Sequence, residues 1–163
     1  SLLTTGRYAD DATTGLTIPA PSPAEAPKAL TPGKAAGRLT GGNLTLVSAT
    51  VGTPYQIETE GRIVFLEDTD EPGYRVDRML SQIRLAGLLE GPAGVVLGGF
   101  DGTDEAELAE VFRDYFAGRP YPVVIGFPVG HIPHNAVLPY GVRAELDAAA
   151  GTLRLLESPL AAD

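Results

Sequence analysis

Two carboxylates and a histidine stand out in this sequence because each follows a short apolar segment. Glu67 and Asp68 come directly after Arg62–Leu66, and His131 comes shortly after Pro122–Phe127. Such segments predict buried strands, and open α/β sheets place their ligand sites beyond the carboxyl ends of the strands. If the two strands are neighbours, a carboxylate can orient the imidazole, and the imidazole can then act as a general base.

The same side chains have simpler interpretations. Asp68, Asp70 and Glu71 crowd into a predicted loop before Pro72, and carboxylates just before a helix usually cap it. Glu67 abuts the strand, so we expect its carboxylate to be partly buried and to need a partner. A histidine in a loop is more often a surface residue than a catalyst.

A metal site is the weaker chemical interpretation of the histidines. His131 and His134 have H-x-x-H spacing, but Pro133 lies between them in a loop rather than on a helix. The sequence has no cysteine, which removes disulfides, thiolate metal sites and cysteine nucleophiles together. Gly98-Gly99 is predicted to be a flexible turn and lacks the lysine of a phosphate-binding loop. We therefore expect neither a metal nor a cofactor.

A hydrolytic triad also needs a nucleophile, and the sequence offers no suitable one. A nucleophilic serine is typically held in a glycine-flanked turn between a strand and a helix. None of the serines has this setting: Ser1, Ser22, Ser48, Ser81 and Ser158. The glutamate and the histidine therefore predict only part of a catalytic site.

The elements that position these residues are predicted from apolar periodicity. Buried strands are expected at Arg62–Leu66, Gly94–Leu97 and Pro122–Phe127. Helices are expected at Pro72–Leu89 and Asp104–Gly118, and a hairpin is expected at Arg143–Asp147 with Thr152–Leu156. Asn43 either caps a further short helix that carries Leu44, Val47 and Val51 and stops at Gly52, or that segment forms a strand. This alternation indicates an α/β domain with a mixed sheet and two main helices.

Composition limits the class of protein. The 163 residues suffice for one domain, and the hydrophobic and charged fractions of 44% and 20% are ordinary for a globular chain. A net charge of −9 argues against a nucleic-acid partner, and no apolar run has the length of a membrane span. Residues 1–36 are rich in proline and alanine, so we interpret them as a linker or extension of a chain that begins within a longer protein.

An ordered set of motifs resembles a known family. The motifs are Gly41-Gly42-Asn43-Leu44, Gly52-Thr53-Pro54-Tyr55, Leu66-Glu67-Asp68 with Glu71, Tyr74, Asp77-Arg78 with Leu80, and Gly130-His131 with Asn135. Over about Gly37 to Asp147 the chain resembles the carboxyl-terminal half of the LD-carboxypeptidases, serine peptidases that include the microcin C immunity peptidases.

The resemblance implies a swivelling β/β/α domain over residues 37–163. It also implies an amino-terminal domain, absent from this sequence, that carries the serine and the oxyanion hole, with residues 1–36 as the extension from it. The catalytic residues implied for this half are Glu67 and His131, with Glu71 as the alternative carboxylate. No cofactor and no metal are implied.

The activity implied by the resemblance is removal of terminal D-alanine from murein tetrapeptides during peptidoglycan recycling in the cytoplasm. Some relatives instead hydrolyse peptide–nucleotide antibiotic conjugates. The expected partners are the murein tetrapeptide and the missing amino-terminal domain, with a homodimer also possible and no nucleic acid or membrane. This chain alone is expected to be inactive. A non-catalytic binding domain on the same fold is the competing hypothesis.

Overall fold

The computed structural model describes residues 17–18 and 26–159. The strands there are β1 (Thr17–Ile18), β2 (Lys28–Thr31), β3 (Lys34–Asn43), β4 (Ile63–Thr69), β5 (Gly94–Asp101), β6 (Val123–Ile125), β7 (Arg143–Asp147) and β8 (Thr152–Leu155). The helices are α1 (Leu44–Ala49), α2 (Gly73–Leu85) and α3 (Glu105–Phe116). Within these described ranges, no helix is long and apolar enough to cross a lipid bilayer.

The strands form one mixed sheet in the order β1-β8-β7-β3-β4-β5-β6-β2. The neighbours among β3, β4, β5 and β6 run parallel, and the other pairs in the sheet are antiparallel. The predicted α/β class, mixed sheet and terminal hairpin are therefore confirmed. Because β4 and β6 both run parallel to β5, their carboxyl ends lie at the same edge of the sheet.

The sheet separates two apolar clusters. On one face, side chains of the three helices such as Leu44, Val76 and Phe116 pack against Leu66 and Leu97 of the central strands. On the other face the curled strands β7 and β8 pack over the central strands. The buried apolar side chains of this second cluster include Leu39, Ile63, Phe65, Val96, Val124, Ala144, Leu146, Leu153 and Leu155. The central strands are thus buried on both faces, which explains their continuous apolar runs.

Parts of the predicted extension, residues 1–36, pair with the sheet. Lys28–Thr31 forms β2 and pairs with β6, and β3 begins at Lys34. Thr17–Ile18 pairs with β8. The short segments β1 and β2 lack a strand pattern of their own, but neighbouring strands supply the hydrogen bonds that hold them. Residues 1–16 and 19–25 lie outside the described residues.

Asn43 joins β3 directly to α1. It is the last residue of β3, and its side chain accepts a hydrogen bond of 3.1 Å from the Leu46 backbone N–H in the first turn of α1. Of the two alternatives for this segment, the helix is confirmed. At α3 the Asp104 side chain caps the helix, because it accepts from the backbone N–H groups of Ala106 and Glu107.

Several predicted boundaries are wrong. β4 continues through Thr69 and β5 through Asp101, because each strand finds a hydrogen-bonding neighbour beyond its apolar run. Gly98-Gly99 therefore lies within a strand rather than in a flexible turn. Helix α2 ends at Leu85, and Gly87 follows it with a φ of +79°, a conformation that favours glycine.

Candidate active site

Glu67 lies near the carboxyl end of β4, inside the strand rather than in the predicted loop after it. Successive side chains of a strand point to opposite faces. Ile63 and Phe65 belong to the cluster on the face away from the helices, and Glu67 continues that alternation. Only 7% of Glu67 is exposed, so its carboxylate needs a partner, as the sequence predicted.

His131 lies on the long segment that connects β6 to β7. This segment has no regular secondary structure, but backbone hydrogen bonds anchor it to the sheet. Val129 O accepts from Gly99 N of β5 at 2.8 Å before His131, and Leu39 O of β3 accepts from Gly141 N at 2.8 Å after it. The Asn135 side chain accepts from the backbone N–H of Gly130 at 3.0 Å. His131 therefore projects from a loop that is fixed on both sides.

Glu67 and His131 meet although their strands are not neighbours, because β5 lies between β4 and β6. Nδ1 of His131 lies 2.8 Å from Oε2 of Glu67. The imidazole is 63% exposed, whereas the glutamate side chain is 9% exposed. The hydrogen bond with Glu67 raises the pKa of His131 above its ordinary value of 6.5, and the charges of Glu67 and then Asp68 act in the same direction. When Nδ1 carries the proton that it donates to Glu67, Nε2 is the ring nitrogen that can accept a proton from another group.

Glu67 lies opposite a β-bulge. The β4–β5 ladder changes register between Leu66 and Asp68, where Gly98 and Gly99 of β5 face the single residue Glu67. A bulge bends its strand and interrupts the ladder, and bulges are frequent beside active sites. On this side, the ladder therefore does not hold Glu67.

Two glycines allow the loop to close over Glu67. A Cβ at Gly98 would lie 2.4 Å from the Val129 carbonyl oxygen and 3.3 Å from Cβ of Glu67. A Cβ at Gly130, where φ is +115°, would lie 2.8 Å from Oε2 of Glu67. Only residues without a side chain permit this approach. Neither role was predicted from the sequence, although the Gly-His pair and the paired glycines after an apolar run could have indicated a close approach of the backbone.

The acidic residues after Glu67 are not caps of α2. Helix α2 has no side-chain cap hydrogen bond, so that expectation is wrong for Asp68, Asp70 and Glu71. Asp68 is buried, with 3% exposure, and binds the start of α1 instead. Glu71 forms an ion pair with Arg75 at 3.3 Å, and Glu67 is the carboxylate that pairs with His131.

His134 does not join the Glu67–His131 pair. It is exposed and lines an apolar groove of about 760 Å³. The groove also includes the Gly98-Gly99 bulge, Ile132, and Phe112 of α3. Among the described residues, no three His, Asp or Glu side chains gather in a way that could hold a metal ion.

The described serines lie on elements unsuited to a nucleophile elbow. Ser48 lies within α1, where its hydroxyl donates to the Thr45 carbonyl oxygen at 3.0 Å, and Ser81 lies within α2. Ser158 follows the last strand. Ser1 and Ser22 lie outside the described residues. The described part of the chain thus presents the Glu67–His131 pair without a serine in an elbow.

The chain is similar to known proteins over much of its length. The family model for the LD-carboxypeptidase C-terminal domain matches residues 36–146. The probable murein peptide carboxypeptidase of Bacillus subtilis is 38% identical over 129 residues, which cover 76% of this chain and 40% of that protein. The chain thus spans less than half the length of this curated relative.

Solved structures show the same fold. The muramoyltetrapeptide carboxypeptidase from Oxalobacter formigenes superposes with a TM-score of 0.70 at 29% identity, covering 95% of this chain and 54% of that one. The microcin C7 self immunity protein MccF in complex with aspartyl sulfamoyl adenosine superposes with a TM-score of 0.71 at 27% identity, covering 83% of this chain and 42% of that one.

Proposed function

This chain belongs to the LD-carboxypeptidase family, and we propose that it is the carboxyl-terminal half of a serine peptidase that removes terminal D-alanine from murein tetrapeptides. The observation that carries the proposal is the 2.8 Å contact between His131 Nδ1 and Glu67 Oε2. An imidazole oriented by a carboxylate, with its second nitrogen accessible, matches the general base of a serine triad. The murein peptide and muramoyltetrapeptide carboxypeptidases among its relatives supply the substrate class.

In the proposed mechanism, Nε2 of His131 takes the proton from a serine hydroxyl as the serine oxygen attacks the scissile carbonyl. His131 then delivers that proton to the leaving amine of D-alanine, and water hydrolyses the resulting acyl-enzyme by the same route. Glu67 accepts the hydrogen bond from Nδ1–H throughout and stabilises the imidazolium form. Its low exposure supports this role, because a carboxylate shielded from water interacts more strongly with the ring.

The nucleophile and the oxyanion hole are assigned to an amino-terminal domain of the complete protein. The absence of an elbow serine from the sequence supports this division, and it also means that the chain alone should be inactive. Since β2 and the start of β3 belong to the sheet, we place the start of the carboxyl-terminal domain before residue 28 rather than at residue 37. The reaction would serve peptidoglycan recycling in the cytoplasm.

A second candidate function is hydrolysis of a peptide–nucleotide conjugate. The MccF structure in complex with aspartyl sulfamoyl adenosine superposes on this chain as well as the muramoyltetrapeptide carboxypeptidase does. The same Glu67–His131 pair would serve both reactions, since each breaks an acyl–nitrogen bond. The two functions therefore differ in substrate recognition rather than in the base.

The test uses the open reading frame from which this chain derives, expressed with its own upstream sequence. Release of D-alanine from murein tetrapeptide is measured by mass spectrometry for the wild type and for His131→Ala, with the 163-residue chain as a separate sample. We expect release by the wild type only. An upstream sequence without an elbow serine, or equal release by His131→Ala, would contradict the proposal. Faster hydrolysis of aspartyl sulfamoyl adenosine in the same assay would favour the second candidate.

A further inference from the structure

Asp68 follows Glu67 in β4 but faces the opposite side of the sheet, toward the helices. Its carboxylate accepts four hydrogen bonds, each 2.9 Å long, although the residue is only 3% exposed. Oδ1 accepts from the Asn43 side-chain amide and from Thr69 N. Oδ2 accepts from the backbone N–H and the hydroxyl of Thr45. The carboxylate therefore ties the end of β4 to the junction between β3 and α1.

This position requires a carboxylate. Two donors face each oxygen of Asp68, so both oxygens must act as acceptors. An asparagine would turn its NH₂ group toward two of those donors, and at least one of them is a backbone N–H that cannot reverse its role. Buried donors that lose their acceptor are costly, so the amide is not a neutral replacement here.

We propose that Asp68 is a positioning residue that holds the Glu67 carboxylate in line with the His131 ring. The bulge at Gly98-Gly99 interrupts the β4–β5 ladder beside Glu67, so β4 lacks its regular support from β5 there, although Glu67 still pairs with Asn43 of β3. The hydrogen bonds of Asp68 replace that support from the helix side. Since neighbouring side chains share one backbone, fixing Asp68 also fixes the direction in which Glu67 projects.

The inference rests on the Glu67–His131 pair of the proposed function, but it concerns geometry that is measurable without catalysis. NMR titration of this 163-residue chain gives the pKa of each of its two histidines, and His134 serves as the internal reference. In Asp68→Asn the pKa of His131 should fall most of the way to its value in Glu67→Gln. The pKa of His134 should not change.

A direct charge effect of Asp68 on His131 is the competing explanation, and a double-mutant cycle separates the two. If Asp68 acts through Glu67, Asp68→Asn changes the His131 pKa little once Glu67→Gln is present. If the charge acts directly, the decrease is the same in both backgrounds, and the inference is overturned. Asp70→Asn is the matched control, because Asp70 is exposed and asparagine tolerates its positive φ of 56°.

A milder variant keeps the test decisive if Asp68→Asn does not fold. Thr45→Val removes one hydrogen bond to Oδ2 while the charge of Asp68 remains. The positioning role predicts a smaller decrease in the His131 pKa in the same direction, whereas a direct charge effect predicts no change. An unchanged His131 pKa in a folded Thr45→Val chain would therefore contradict the inference. D-alanine release by the complete protein is measured separately, and that measurement tests the proposed function rather than this inference.

Discussion

Nδ1 of His131 and Oε2 of Glu67 lie 2.8 Å apart, although 64 positions separate the two residues in the chain. Their exposures differ sharply, because the imidazole is 63% exposed and the carboxylate side chain 9%. A shielded carboxylate behind an accessible ring is the arrangement of an oriented base rather than of a surface ion pair. Each prediction below tests a consequence of this relationship.

His131→Ala in the complete protein should lower kcat far more than it changes KM. A general base contributes mainly in the transition state, and its removal typically costs about 10²–10⁴-fold. Steady-state kinetics of D-alanine release from murein tetrapeptide measure both constants. A large increase in KM with an unchanged kcat would instead identify His131 as a residue that binds the substrate.

His134→Ala should leave kcat nearly unchanged, because His134 is exposed and lies outside the Glu67–His131 pair. It is the matched control for His131→Ala, since both variants remove an imidazole from the same loop. Addition of a chelator should also leave the rate unchanged, because a serine mechanism needs no metal. Loss of activity in His134→Ala together with chelator sensitivity would revive the metal interpretation.

The activity should fall as the pH is lowered through the pKa of His131. Glu67 raises this pKa above 6.5, so the neutral ring that the proposed mechanism requires forms only at a correspondingly higher pH. In Glu67→Gln the acidic limb of the kcat/KM profile should move to lower pH, and the maximal rate should also fall. An acidic limb that stays in place would show that another group controls it.

The same pKa has a consequence for stability. Because the folded-state pKa is raised, the ion pair favours the folded chain fully only below the unfolded value near 6.5. That contribution is lost as the pH rises through the folded-state pKa.

Gly130→Ala should disrupt the pair without removing either of its members. The new Cβ would lie 2.8 Å from Oε2 and from Cβ of Glu67, so the carboxylate or the loop must move. The His131 pKa, measured by NMR in this chain, should fall toward its value in Glu67→Gln. The rate of the complete protein should decrease with it.

Gly141→Ala is the control for backbone strain. Gly141 also has a positive φ, of +80°, but a Cβ there would meet no atom within 4 Å. Both alanine variants should lose some stability from the positive φ, and only Gly130→Ala should lower the His131 pKa. Equal pKa values in the two variants would mean that crowding against Glu67 is not important.

Strands β4, β5 and β6 and the two main helices were predictable because their signals are local. The apolar run Ile63–Leu66 and the helical spacing of Val76, Met79, Leu80 and Ile83 each require burial on their own. β2 was not predictable, since its four residues pair with β6 from a distant part of the sequence. The pairing energy of such an edge strand comes from its neighbour.

The sequence by itself determined that Glu67 and His131 come after buried apolar runs, and that no serine in an elbow accompanies them. The family resemblance selected the two residues from several carboxylates and two histidines. Only the tertiary structure decided which carboxylate meets the ring, because that depends on packing between segments far apart in the chain. The bulge at Gly98-Gly99, the close approach of Gly130 and the inward turn of Asp68 together set this packing. Each of these contacts is non-local, and for that reason local sequence patterns do not encode it.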